Sequence, residues 1–527
     1  MSTAAYENEW HACRADGVDK VGLLRLARKI AHSFMDRFFQ DDTYQADCIE
    51  LLCEMGTAFD DPVLNQIASA TLFEIIIEQL CDEFEDRQLE IYNRVMGQTV
   101  TFCRKHPRGT ELDRQLKEFD LGSCEQLIGR AARIQEQASK WDNSRTPSRI
   151  FILSRITVGA DVAVVSVLLQ RIQKLFPRAE LIIIGGDKLE QLFGDNPRVT
   201  IKKIAYARRG GILERFDSWF AARKILETEI DTKTDEDYLI IDPDSRITQL
   251  GILPLAAENH YLFLNTRKNS SDGKHRSMAE IVNHWVDGTF GSSDFCYPKI
   301  WLSDNVMRMG RELTDQLRHW GYERITAINM GVGGNSRKRL GIDFEKKLLL
   351  KLLQDPKTAI LFDQGFGAKE KLTCAELLRA VEARGYATME MDYGAWSGGA
   401  QKIRIYAIHC RVAEMASLIS SSDDFIGYDS AGQHIAAALK VPGVTIFAGT
   451  NNPRFIRRWS VSGDTHTRIV HVNTLSDAQG LDHVEIVERI LYQRCPHEES
   501  PASKLTDRNI MAVADASIGK QNRITKK

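Results

Sequence analysis

The run Asp423-Asp424-Phe425-Ile426-Gly427-Tyr428-Asp429-Ser430-Ala431-Gly432-Gln433-His434, continuing through the small apolar stretch Ile435–Leu439, is compatible with few folds. A short apolar run ends in a polar turn. A helix-sized block rich in alanine follows, and Lys440-Val441-Pro442-Gly443 leads into a second apolar run, Val444–Phe447. Two buried strands joined by one helix make a right-handed β-α-β unit, and such units build parallel sheets covered on both faces. Asp429 and Ser430 suit the cap of that helix. His434 falls in its first turn, where free N–H groups and the positive dipole end attract an anion. On these residues alone two readings stay open: a phosphate site at the carboxyl end of a parallel sheet, or a capped helix with a satisfied histidine.

The same alternation extends in both directions. Ile150–Leu153, Leu181–Ile184, Val199–Ile204 and Tyr238–Ile241 read as strands, with a helix over Val162–Phe176 that stops at Pro177. Ile325–Met330, Thr358–Phe362 and Val444–Phe447 repeat the pattern further on, with helices over Cys374–Arg384 and Val412–Ser420. Before about residue 141 the period changes to three or four: Leu23, Ala27, Ile30, Phe34 and Phe38 form one helical face. Further helices are expected over Tyr44–Phe59, Pro62–Phe84, Gln88–His106 and Cys124–Trp141. The expected organisation is a helical accessory domain over 1–141, a polar linker, sheet domains over 148–320 and 322–495, and a polar tail over 496–527. The helical segment concentrates no chemistry; docking a protein partner, oligomerisation or acceptor recognition are the roles open to it.

Composition narrows the function classes. A net charge of -3 over 527 residues gives no global attraction to nucleic acid, so no nucleic-acid partner is expected. The ten cysteines include no C-x-x-C pair and no zinc spacing, which points to a reducing compartment. Met1–Trp10 has no signal-peptide core, and no apolar run reaches the ~20 residues of a membrane span. The expected location is the cytoplasm, with peripheral attachment at the inner membrane face as a second option.

Candidate residues cluster where strands end. Asp161 lies in the turn Arg155–Val162, as either a proton acceptor or a helix-start aspartate. Asp242-Pro243-Asp244 ends a strand; the spacing can hold a divalent metal, and it is also good turn chemistry. Arg267 and Lys274 border the polar loop Asn269–Gly273, and together with Asp242 and Arg246 they are candidates for an acceptor side. In Gly331-Val332-Gly333-Gly334-Asn335-Ser336-Arg337-Lys338 a glycine-rich turn precedes cations, as a phosphate cradle requires. It is neither Gly-x-Gly-x-x-Gly nor a P-loop. Asn451 and Arg454 sit in another strand-end loop.

Taken together, Asp429–His434 with its Ile435–Leu439 helix, Val441-Pro442 and Phe447–Arg454 resemble the donor signature of glycosyltransferase family 9, typified by ADP-heptose:lipopolysaccharide heptosyltransferases. Arg155–Phe176, Tyr238–Arg246 and Gly331–Lys338 resemble the family's other strand-end motifs, so that the likeness spans roughly 148 to 475. The resemblance implies an α/β fold with two Rossmann-like domains in a glycosyltransferase-B arrangement, preceded here by the all-helical N-terminal domain. It implies inverting transfer from a nucleotide diphosphate sugar, such as ADP-heptose, to a hydroxyl of a glycan or other acceptor, with no metal and no cofactor. Carried over, Asp161 is the base that deprotonates the acceptor and Lys338 neutralises the departing diphosphate. Gly333, Ser336, Asp429, Ser430, Gly432, His434 and Asn451 line the donor site. The architecture also implies that the helix over Val484–Tyr492 returns to the first sheet domain.

The chain departs from the family pattern at Ala160 and Ala431, which stand at glycine positions, and at Leu340, which stands where an aromatic is expected. These departures motivate a second hypothesis, a non-catalytic nucleotide-sugar-binding or scaffold protein. A nucleotide-sugar epimerase on the same architecture is the third.

Overall fold

The computed structural model describes residues 3–494 except 16, 18, 137–140, 208–209, 231–236, 269–275, 397–401, 464–465 and 476–479. Lys274 and the tail over 496–527 therefore lie outside the described residues. The chain forms two compact units. The first holds Met1–Arg308 with Arg411–Ser417 and Val461–Asp464; the second holds Met309–Cys410, Leu418–Ser460 and Thr465–Lys527.

In the first unit, β1 (Arg149–Leu153), β2 (Glu180–Gly185), β3 (Val199–Lys203), β4 (Tyr238–Asp242) and β5 (Tyr261–Phe263) form a sheet of order β3-β2-β1-β4-β5. All its pairings are parallel. The apolar run of β1 explains its central place: Ile150, Phe151, Ile152 and Leu153 are wholly buried, each such side chain contributing about 1.5–3 kcal/mol. The helical segment packs into the same core. Trp10, Phe34, Ile76 and Val95 share one apolar cluster with Phe151, Ile182, Ile240 and Phe263. Arg130 Nη1 and Gln135 Nε2, on the helix Cys124–Glu136, donate to Gly251 O at 2.5 Å and Leu250 O at 2.9 Å. The change of pattern near residue 142 thus marks a change of secondary structure within one continuous core.

The second unit carries β6 (Arg324–Asn329), β7 (Thr358–Asp363), β8 (Ala387–Asp392), β9 (Ile403–His409), β10 (Asp424–Tyr428), β11 (Gly443–Phe447) and β12 (Thr467–His471). Their order is β12-β11-β10-β6-β7-β9-β8, again all parallel. The expected two-sheet α/β fold with a helical N-terminal region is what is found. The helix His483–Arg494 does not return to the first sheet, as the resemblance implied. Its Ile486, Val487 and Ile490 lie in the core of the second unit, and Arg494 Nε bonds Asp424 Oδ2 at 2.6 Å.

Among the described residues no helix is long and apolar enough to cross a membrane.

In the first sheet the chain runs outward from β1 to β3 and then outward the other way from β4; in the second it runs outward from β6 and, after the edge strand β8 and its inner neighbour β9, outward the other way from β10. In open parallel sheets ligands bind at the carboxyl ends of strands flanking such a switch point. The candidate residues after β1, β4, β6 and β10 all follow these strands.

Candidate functional site

At the first switch point, β1 ends at Leu153 and the chain turns through Ser154 to Thr157 before the short helix Val158–Ala160 and a π-helical turn, Asp161–Val165. Such π turns recur at functional positions. Asp161 is buried. Its carboxylate accepts the Arg155 N–H at 2.7 Å and the Ser154 hydroxyl, which lies 2.8 Å from Oδ2 and 3.0 Å from Oδ1. Burial pushes the acid up to about 7 against the pull of these donors and of the Arg155 charge. A carboxyl group poised near neutrality can accept a proton at physiological pH.

The neighbouring strand end is built differently. Asp242 is completely buried and accepts the Ser245 N–H at 2.6 Å and the hydroxyls of Thr248 and Tyr261. Burial also raises it, to about 6. The acceptor-side expectation for Asp242 is corrected by this geometry: its oxygens are taken by protein donors, and it anchors the turn after β4. Asp244, two residues on, forms ion pairs at 2.8 Å with both Arg155 and Arg267, and accepts the Thr266 N–H at 2.9 Å. With both carboxylates so occupied, Asp242-Pro243-Asp244 is turn chemistry. Arg267 is likewise buried, and its Nε bonds Cys81 O of the helical segment at 3.1 Å, which ties that segment to the sheet. Arg246 is half-buried, its guanidinium carbon 5.9 Å from the Tyr92 ring centroid.

At the second switch point, β6 runs into an exposed loop. Gly333 sits at its tip with φ +63, a conformation suited to glycine. The loop closes with the 3-10 turn Ser336–Lys338, in which Ser336 is exposed. The next residues fix the turn. Arg339 grips the fully buried Glu345 through two bonds of 2.5 and 2.6 Å, and Tyr428 OH donates to the same carboxylate at 3.1 Å. Leu340, in place of the family's aromatic, enters the core, its N–H bonding Tyr428 OH at 3.1 Å. Lys338 is thereby aimed at Asp429: its Nζ lies 2.6 Å from Oδ2 and 5.3 Å from the centre of the Phe455 ring.

After β10, Asp429 and Ser430 lead into the helix Ala431–Ala438. The expected capping is not made. The Asp429 carboxylate is held by Lys338 and by Gln433 Nε2 at 2.6 Å. Ser430 occupies the cap position with an extended backbone (φ -157, ψ -170); its hydroxyl makes no bond to the helix N–H groups and stays buried without a protein partner. His434 is buried edge-on to Trp459, and burial together with the Lys338 charge holds it down at about 3. It is a neutral imidazole at physiological pH. A free hydroxyl, a neutral imidazole and first-turn N–H groups thus lie at one helix start beside the ion pair of Lys338 with Asp429, donors that suit an anion once it shares Lys338 with that carboxylate.

Gly432 has a packing role: a Cβ there would lie 2.6 Å from the Phe425 ring. The glycine one place later than in the family pattern therefore seats the helix on β10. Asn451 is exposed and its side-chain amide donates to Asn473 Oδ1 at 2.8 Å.

Three residues outside the candidate set shape these sites. Ser154 holds Asp161. Gly185, at the end of β2, leaves the room Ser154 fills: a Cβ there would lie 2.3 Å from the Ser154 Cβ. Gly449 (φ +78) lets the loop after β11 press onto the Lys338 turn, since a Cβ would lie 2.5 Å from Arg337 O. The sequence signals are slight: a serine directly after an apolar run, the pair Gly185-Gly186 closing one strand, and a glycine two residues past another.

Residues 401–478 match the model of glycosyltransferase family 9 (heptosyltransferase). No curated protein matches the chain. Among solved structures the chain is similar to a glycosyltransferase of family 9 from Veillonella parvula, at 14% identity over 67% of this chain and 90% of that one, TM-score 0.45. It is similar also to E. coli ADP-heptose LPS heptosyltransferase II, at 16% identity over 66% and 99%, TM-score 0.43. A third is E. coli heptosyltransferase WaaC with ADP, at 13% over 66% and 99%, TM-score 0.45. The resemblance to glycosyltransferase family 9 thus holds for this chain, and it is carried by the segment that builds β9 to β12 with Asp429 and His434.

Proposed function

We propose that the protein is a glycosyltransferase that moves a sugar from a nucleoside diphosphate donor to a hydroxyl acceptor with inversion at the anomeric carbon. The observation that carries this reading is the donor set around the start of Ala431–Ala438: the Lys338 ammonium, the neutral His434 ring and the unpartnered Ser430 hydroxyl. In this reading the donor's diphosphate meets that helix start. Asp161 takes the proton of the acceptor hydroxyl, the acceptor oxygen bonds to the anomeric carbon, and the bond from that carbon to the diphosphate oxygen breaks. Lys338 and the helix N–H groups then balance the charge left on the diphosphate.

Incubation with a panel of nucleotide sugars that includes ADP-heptose, read by release of nucleoside diphosphate and by thermal shift, tests the reading. Stabilisation by at least one donor, with turnover once a hydroxyl acceptor is supplied, is the expected result. No binding by any donor overturns it. The transfer is expected to proceed unchanged in EDTA, because no step of the scheme calls on a metal. Ala160 and Ala431, at the family's glycine positions, favour one competing reading, a donor-binding protein without turnover; binding with no transfer to any acceptor class would establish it.

A further inference from the structure

Ser154 belongs to no motif, yet its hydroxyl donates to Asp161 and accepts from the turn that leads to it. We propose that Ser154 is a positioning residue for the proton acceptor Asp161, its hydroxyl fixing the carboxylate and favouring its ionised form. The inference rests on the reading of Asp161 as the base.

The hydroxyl proton is shared between the two carboxylate oxygens at 2.8 and 3.0 Å, while the hydroxyl oxygen accepts the Ile156 N–H at 2.8 Å. With its lone pair so engaged, the O–H is aimed one way only. The residue itself cannot turn. Its N–H bonds Ile184 O at 2.9 Å, its carbonyl accepts the Ser245 hydroxyl at 2.6 Å, and its Cβ occupies the space that Gly185 leaves free. Ile156 has φ +72, a left-handed conformation that a β-branched side chain adopts only under constraint. The bond from its N–H to Ser154 is part of that constraint, so one serine holds both the strained turn and the acid.

The charge that acts on Asp161 is that of Arg155, which is itself paired with Asp244 of the β4 turn. In that turn Asp242 is bound by Ser245, Thr248 and Tyr261. The helix Met278–Phe290 packs against the π-helical turn that begins at Asp161 and carries Glu280, His284 and Asp287. Glu280 is bonded to Ser277 and Asp287 to Arg171. The helix that follows the π-helical turn, Ser166–Leu175, carries Arg171 and Lys174, paired with Asp287 and Asp294. Without the hydroxyl the carboxylate keeps the Arg155 N–H alone, and burial, which already pushes the acid up to about 7, is less opposed.

Thermal unfolding of the full chain across pH 4–9 tests this in four forms: the unaltered protein, Ser154→Ala, Asp161→Asn and the double variant. The stability difference between the unaltered protein and Asp161→Asn should fall from about pH 4 and level off near 7, the midpoint of Asp161 ionisation in the folded chain. In the Ser154→Ala pair that midpoint should rise by about one pH unit, the expected loss of one hydrogen bond to a charged group. An unmoved midpoint overturns the proposal. If Ser154→Ala does not fold, Ser154→Cys, a weaker donor of similar shape, should give a smaller shift in the same direction. The transfer rate with a nucleotide sugar gives a second readout. The acid limb of Ser154→Ala should move up by the same amount, with the rate at pH 9 recovering to within about threefold of the unaltered protein. An unmoved limb overturns the proposal. A moved stability midpoint alongside a fully active Asp161→Asn supports the hold of Ser154 on Asp161 and sinks the base role alone.

Discussion

The two switch points share one topology and differ in sign. At the first, burial acts on an acid: Asp161 is pushed up to about 7 and is tempered by Ser154 and Arg155. At the second, burial acts on a base: His434 is pushed down to about 3, with the Lys338 charge adding to the effect. The first site therefore gains affinity for a proton, and the second keeps a neutral donor beside a fixed cation. The backbone supplies strand ends in both cases; the chemistry lies in which side chain is desolvated.

The largest effects should separate proton transfer from anion binding. Asp161→Asn should lower the transfer rate by roughly 10²–10⁴-fold while donor affinity stays unchanged, since general-base catalysis accounts for about that much. Stopped transfer assays and donor binding by calorimetry check it; a variant within threefold of the unaltered rate would remove Asp161 from the base role. Lys338→Ala should cost roughly 10²-fold or more in rate and should also weaken the donor, because the charge it balances is present in part before the bond breaks. Equal donor affinity in Lys338→Ala would break the contrast between the two sites.

How far this contrast could be read in advance depends on the range of the interactions. The alternating segments and the pair Asp429 and His434 were legible because they are local: strand, turn and first helical turn lie within a dozen residues. β5, β8, β9 and β12 carry a weaker signal. β5 spans only Tyr261–Phe263, and β8 is an edge strand with mixed burial, so neither shows the unbroken apolar run of a central strand. Asp242 reads as an acceptor-side candidate in sequence because its partner Tyr261 lies nineteen residues away and reaches it only once β4 and β5 are paired. The shared core of the helical segment and the first sheet was hidden for the same reason: periodicity tells which face is apolar and not what covers it. Ser154 stood beside its motif unnoticed, since a serine after a strand has many uses and only the geometry selects one.

The pH dependence sharpens the comparison, with effects of about tenfold per unit. Transfer should fall below pH 7 as Asp161 takes up its proton, and no ionisation of His434 should appear above pH 5. Stability should respond in opposite senses. Asp161 is raised above its unfolded value, so its contribution is full in acid below about 4 and is lost as pH climbs through about 7. His434 is lowered, so its contribution is full above its unfolded value near 6.5 and is lost as pH falls towards about 3. Asp363, raised by burial to about 6, works against His434 within the same unit. Unfolding curves of Asp161→Asn and His434→Gln, each subtracted from the unaltered protein, isolate the two slopes; slopes of the same sign would defeat the comparison.

The smallest effects should come from the two glycines that make room for each site. Gly449→Ala meets two obstacles at once: φ +78, which costs about 1–3 kcal/mol for a residue with a side chain, and a Cβ 2.5 Å from Arg337 O. The loop must withdraw from the Lys338 turn, so stability and donor affinity should fall together. Gly185→Ala has no such backbone conflict. Its new Cβ would lie 2.3 Å from the Ser154 Cβ, and Ser154 is fixed at both ends by backbone bonds. The side chain that yields is the one holding Asp161. Gly185→Ala should therefore leave donor affinity as it is and move the acid limb of transfer upward, as Ser154→Ala does. If Gly185→Ala weakens the donor instead, the two strand-end sites are not independent, and the division of labour between the sheets fails.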